Sequence, residues 1–146
     1  MYLLDSNILI YAHNLASPFH KTVRSLVGEV LAGRIEGCVS FQNLYELYSI
    51  ITDSKRVEKP LSVKDARKIL LLYLKADNFP KIYSKNTNLA VTLELLKSAD
   101  IKKQQIFDLI LVATMIENEV KGIYTADETF FKKFKFLEVI NPFKDS

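Results

Sequence analysis

The chain has 146 residues, 49% of them hydrophobic, and a formal net charge of +3 at pH 7. That length suits a single domain with one substantial core, and so small a positive charge argues neither for nor against a phosphate-rich partner. A lone Cys38 excludes an internal disulfide, offers no basis for a zinc site and fits an intracellular, cytoplasmic protein, while four Gly and four Pro leave no visible linker.

The chain opens on an apolar run, Met1 to Leu4, halted by Asp5 without a basic flank, which argues against a secretory signal peptide. Tyr2 to Leu4 predicts a first strand. Asp5 follows it directly, either capping the next helix or belonging to a site, and Asn7 could hold an acid in place or close a turn. His13 and His20 lack any partner at metal-ligand spacing and read as ordinary helix or core histidines. A helix over Pro18 to Ala32 carries Lys21 and Arg24. Cys38 to Ser40 predicts the second strand, with Cys38 in the core.

The next helix, Gln42 to Thr52, places Leu44, Leu47, Tyr48 and Ile51 on one stripe and Gln42, Glu46, Ser49 and Asp53 opposite. On local evidence Glu46 is part of a solvated face. Lys55, Arg56 and Lys59 lie in the polar connection that follows. A helix over Val63 to Ala76 contains the longest apolar run, Ile69 to Leu74, far short of a membrane span. A short strand at Ile82 to Tyr83 and a helix over Thr87 to Ser98 come next.

Asp108 interrupts IFDLILVATMI, at the start of a helix over Phe107 to Glu119 that is apolar nearly all round. An unpaired charge buried there costs several kcal/mol, so Asp108 either serves a function or sits in the first turn, where the helix dipole favours it. Ile123 to Thr125 predicts a strand. Asp127 follows within IYTADETFF, where Thr125 and Glu128 also fit a capping box for a short helix beginning near Glu128. Leu137 to Ile140 predicts the last strand.

Short apolar runs alternating with helical segments indicate an α/β fold, a parallel sheet flanked by helices. Ligands of such sheets bind beyond the carboxyl ends of the strands, which puts Asp5 and Asp127 on one rim. The chain has no GxGxxG, no GxxxxGK[ST] and no GxSxG, so nucleotide-cofactor binding and a serine hydrolase are disfavoured.

Taken in order, LLDSNILIYA, SFQNLYELY, FDLILVATMIE, IYTADETFF and a terminal VINPF span nearly the whole chain. Together they resemble the PIN-domain family, and more narrowly the toxin nucleases of VapC-type toxin-antitoxin pairs. The resemblance implies a Rossmann-like fold with a central parallel sheet of about five strands. It also implies divalent-metal phosphodiester cleavage of RNA at an acidic quartet of Asp5, Glu46, Asp108 and Asp127, supported by Asn7 and Thr125. Hydrolysis by water would leave a 5′-phosphate and a 3′-hydroxyl. A cognate antitoxin protein and a homodimer are implied as partners. An all-oxygen ligand set favours Mg²⁺ or Mn²⁺. Many relatives read T-x-D-x-D-F, and here Thr129 stands at the second acid, for which Glu128 is the available substitute.

Lys21, Arg24, Lys55, Arg56 and Lys59 are the candidate cations for gripping RNA, expected on helices or loops that lead toward the rim. Tyr45, Tyr48 and Ile69 to Leu74 are expected to pack helices or a dimer interface rather than stack on bases. A phosphoaspartyl phosphatase would need an acid at Asn7, and a receiver domain an acid pair before the first helix. An rRNA-processing nuclease and a catalytically silent module that binds RNA or protein are the remaining alternatives.

Overall fold

The apolar pairs Leu3–Leu4 and Cys38–Val39 determine the layering. Successive strand residues face opposite sides of a sheet, and Leu3 and Cys38 pack into one buried cluster while Leu4 and Val39 pack into another. The computed structural model describes residues 1–144. In it these pairs belong to β1 (Tyr2–Leu4) and β2 (Gly37–Ser40), which lie in a five-stranded sheet with β3 (Lys81–Ile82), β4 (Gly122–Tyr124) and β5 (Glu138–Ile140). The spatial order is β3-β2-β1-β4-β5, and every pairing is parallel. The fold class read from the sequence, a Rossmann-like sheet of five parallel strands between helices, is the one observed.

Helices α1 (Ser6–Ala12), α2 (His20–Leu31), α3 (Phe41–Ile51), α4 (Val63–Lys75), α5 (Asn88–Leu96), α6 (Gln105–Glu117) and α7 (Glu128–Phe131) fill the connections. Six of them start within about two residues of the positions expected from periodicity, ordinary fraying error. The exception is α1, for which no helix was delimited. Its sequence, SNILIYA, carries an Asn and two β-branched Ile residues in seven, a poor helix former. Capping by Asp5 and burial of Ile8 and Leu9 override that preference.

Serine side chains begin two of the longer helices. Ser40 Oγ accepts from the Asn43 amide of α3 at 2.9 Å, and Ser62 Oγ from the Asp65 amide of α4 at 3.1 Å. Helix α6 buries Leu109 and every residue from Leu111 to Met115, matching its nearly continuous apolar sequence. Gly122 is required by close approach: a Cβ there would collide with the backbone of Glu138 and come within 3.0 Å of the Tyr2 ring. Cys38 is fully buried, as expected, and burial pushes its thiol up to about 12. Among the described residues no helix is long and apolar enough to cross a membrane.

This topology determines where the acids meet. The order reverses at β1, whose neighbours β2 and β4 are reached by connections leaving in opposite directions, so a crevice opens beyond the carboxyl ends of β1 and β4. Helix α6 delivers the chain to the start of β4, so its own N-terminus lies back at that same rim.

Candidate active site

Asp5 is the first residue past β1, anchored by a backbone bond from its amide to the Tyr124 carbonyl at 3.0 Å. Its extended backbone makes it the N-cap of α1, with Oδ1 accepting from the Ser6 amide at 2.8 Å. Capping is only part of its role. Oδ2 accepts from Thr125 Oγ1 at 2.7 Å and lies 3.4 Å from Asn7 Nδ2, while Asn43 Nδ2 lies 3.4 Å from Oδ1. The side chain is therefore held from α1, α3 and the end of β4 at once.

Such a carboxylate is 7% exposed. Burial raises its pKa to about 6; the bonds from Thr125 and Ser6 pull the other way, and Glu46 and Asp108 push it further up. Desolvation therefore outweighs a full set of donors, which marks a charged group held where water cannot stabilise it.

Glu46 does not lie on a solvated face. Its Oε2 accepts from the Ser6 hydroxyl at 2.7 Å, and its Oε1 from Gln42 Nε2 at 3.3 Å. Gln42 Nε2 also donates to the Phe107 carbonyl at 3.0 Å, bracing the start of α3 against the start of α6. Asp108 stands in the first turn of α6, half-buried rather than enclosed. Burial raises its carboxyl to about 6, followed by the charges of Asp127 and Glu46.

Asp127 is exposed at the N-cap position of α7, yet its side chain caps nothing there. The expected capping box is absent because Thr125 is otherwise engaged. Its hydroxyl donates to Asp5 and accepts from the Asp127 amide at 2.9 Å, using the one donor and the lone pairs of a threonine. Asn7 Oδ1 accepts from the Ala126 amide at 3.3 Å, tying α1 to the loop that carries Asp127. Asn7 and Thr125 thus stand where support for the acids was expected.

Glu128 is placed differently. Lys132 and Lys144 hold its carboxylate at 2.6 and 2.8 Å, and Asn141 donates to it at 2.8 Å. Those contacts hold it well below the usual carboxylate range, at about 2, and fasten α7 to the chain after β5. It does not replace the acid missing at Thr129.

Ser6, Gln42 and Asn43 were not singled out as site residues by sequence. Each is polar and lies within three residues of a helix start, but their partners are 38 to 65 positions away. Among the described residues no three His, Cys, Asp or Glu groups converge closely enough to form a ready cation cage. Asp5 and Glu46 are instead spaced by the Ser6 hydroxyl, which lies 3.5 and 2.7 Å from them.

Glu46 and Asp108 border one cavity of about 790 Å³ between the starts of α3 and α6. None of Lys21, Arg24, Lys55, Arg56 and Lys59 lines it. All five are exposed. Lys55, Arg56 and Lys59 lie in the α3–α4 connection, and Lys59 borders a separate small cavity with His13 and Leu15, so these three do not lead to the acids as expected.

A model of the PIN domain matches residues 2–137. Over 142 residues, 97% of each chain, the sequence is 26% identical to Ribonuclease VapC24 of Mycobacterium tuberculosis. Among solved structures, Mycobacterium tuberculosis VapC20, a Sarcin-Ricin loop cleaving toxin, superposes with a TM-score of 0.67 at 14% identity, covering 90% of this chain and 94% of that one. VapBC2 from Rickettsia felis, bound to a DNA fragment from its promoter, gives 0.63 at 22% identity, covering 96% and 98%.

Proposed function

The chain belongs to the PIN-domain family, and from that membership and the geometry of its rim we propose that it is a divalent-metal-dependent endoribonuclease, the toxin of a toxin-antitoxin pair. The observation that carries this reading is Asp5: a carboxylate withdrawn from water, held from three elements, with two further carboxylates raising its pKa. Burial makes a charge of that kind expensive unless a counter-charge joins it.

The donor set fits a hard cation. Asp5, Glu46, Asp108 and Asp127 offer oxygen only, with no His or Cys in the quartet, which suits Mg²⁺ or Mn²⁺. When bound, the ion supplies activation of a water and neutralisation of charge on the phosphate. The residues supply the positioning. Thr125, Ser6 and Asn43 orient Asp5, and Ser6 and Gln42 orient Glu46. The dipole of α6 favours the ionised form of Asp108 in its first turn. Water is the nucleophile in this reading.

Two surface features support the partners. An apolar groove of about 360 Å³ between α3 and α4, lined by Leu44, Leu70 and Leu74, reaches Tyr45, the neighbour of Glu46. An antitoxin segment seated there could extend an Arg to the carboxylates. On α5, Leu89, Leu93 and Leu96 form an exposed stripe suited to a second copy.

The test is cleavage of single-stranded RNA by the purified chain. Activity is expected with Mg²⁺ or Mn²⁺ and is abolished by EDTA, Asp5→Asn or Glu46→Gln; EDTA-resistant cleavage by a clean preparation overturns the reading. Expression of the chain alone should slow growth while Asp108→Asn does not, and equal growth of the two removes the toxin role.

A further inference from the structure

The cavity beside the acids is built largely from rings. Phe41, Tyr45, Tyr83 and Phe107 supply four of its twelve lining residues, and no Lys or Arg is among them. Phe41 and Tyr83 stack on each other, with centroids 5.2 Å apart at 16°, so each covers a face of the other. Among the described residues Tyr45 and Phe107 stack on no other ring and are 70% and 59% exposed, while Tyr83, 56% exposed, has one face taken by Phe41. Tyr45 and Phe107 are the residues immediately before Glu46 and Asp108, and the Gln42 bridge between Glu46 Oε1 and the Phe107 carbonyl holds the two helix starts together. Tyr45, expected from sequence to pack between helices or at a dimer interface, presents its ring to solvent at the mouth of the acidic site.

Beyond Glu46 and Asp108, which would hold the metal and through it the phosphate, the cavity has no Lys or Arg to grip a phosphate chain. What these walls suit is a flat, neutral group with a polar edge: open rings supply stacking faces, and the side-chain amides of Gln104 and Gln105 supply donors and acceptors. The volume of about 790 Å³ falls within the range of small-ligand sites. We infer that Tyr45 and Phe107 form a nucleobase subsite, stacking an unpaired base next to the phosphate ester that lies at Glu46 and Asp108. The inference rests on the ribonuclease reading and adds its selectivity. A base inside a duplex is stacked on both faces and cannot meet either ring, so cleavage is confined to loops and single strands.

The experiment uses the full chain and a short single-stranded RNA with one mapped cleavage site, prepared intact and with an abasic ribose on either side of the scissile phosphate. Initial rates are measured in Mn²⁺. For the wild type, one of the abasic positions should raise KM about 10-fold, the scale of one lost stacking contact. In the double variant Tyr45→Ala/Phe107→Ala, intact RNA should show the same rise of about 10-fold in KM with little change in kcat, and the abasic position should cost nothing more. Tyr45→Phe and Phe107→Tyr keep a π face and should retain the wild-type KM.

An abasic penalty equal in wild type and double variant overturns the subsite, as does an unchanged KM for intact RNA. Loss of a dimer or of a bound protein partner in the double variant, with KM unaltered, assigns the rings to a protein interface and also overturns it. The two readings fail separately. If the wild type does not cleave RNA, quenching of a 2-aminopurine-containing RNA by wild type but not by the double variant still supports the subsite, and equal quenching by both sinks it.

Discussion

Replacing Asp108 by Asn removes one charge from the crowded rim without changing its shape. The carboxyl of Asp108 is raised from 3.8 to about 6 by burial and then by Asp127 and Glu46. A gap of that size corresponds to at most about 3 kcal/mol of cost to the folded state when the group is ionised. Because the side chain is only half-buried, screening and the residual cost of burying an amide reduce the expected gain to about 1–2 kcal/mol. Without metal at pH 7.5, Asp108→Asn should therefore melt about 3–6 °C above the wild type. The sign follows from a folded pKa above the unfolded one. The penalty is complete above about 6, fades as pH falls through that value, and is absent below 3.8. Melting curves in EDTA at pH 7.5 and at pH 4 should show the variant's advantage only at the higher pH. Adding Mg²⁺ or Mn²⁺ at 100 times its Kd should stabilise the wild type by about 2.7 kcal/mol and the variant by much less. A variant that melts below the wild type in EDTA, an advantage that persists at pH 4, or equal metal shifts in both proteins would refute the reasoning.

His13 provides a pH test at the opposite end of α1 from Asp5. Its Nε2 lies 2.7 Å from the Tyr73 hydroxyl, and burial followed by His20 lowers its pKa to about 4. The neutral ring contributes fully above 6.5, and up to about 3 kcal/mol is lost as pH falls from there toward 4. Urea unfolding of wild type and His13→Gln at pH 7.5 and pH 4 should show a shallower acid loss in the variant, and parallel curves would refute it. Thr125→Val removes the donor to Asp5 and the acceptor for the Asp127 amide, costing about 1–3 kcal/mol. It should also raise the Asp5 pKa further, as read by carboxyl NMR titration, with Thr125→Ser restoring both. Glu128→Gln should leave metal-dependent cleavage intact, since its partners are Lys132, Lys144 and Asn141; initial rates as low as those of Glu46→Gln would return it to the site.

Asp5 and Asp127 could be placed on one rim from sequence because each follows a short apolar strand, and parallel order does the rest. Asp108 stood out because a carboxylate in IFDLILVATMI has to be explained. Its half-exposed setting was not legible, since that depends on where α6 starts relative to the rim. Ser6, Gln42 and Asn43 escaped notice for a related reason. A hydroxyl or amide near a helix start is accounted for by local capping, and only the packing of α1, α3 and α6 gives Ser6 and Asn43 a remote carboxylate and Gln42 the Phe107 carbonyl. The same limit explains Glu128. Thr125 and Glu128 satisfy a capping pattern locally, but the buried Asp5 draws the threonine hydroxyl away and Lys144 draws the glutamate outward.

The pairing of Leu4 with Tyr124 across β1 and β4 brings Asp5 and Thr125 side by side, one residue beyond the last ladder pair. The place of Asp5 is thus inherited from strand register, while Tyr45, Gln104 and Phe107 of the neighbouring cavity are carried by the N-terminal parts of α3 and α6. These two parts of the protein are free to evolve at different speeds. A substitution at Tyr45, Gln104 or Phe107 alters what the cavity admits without disturbing how Asp5 is held.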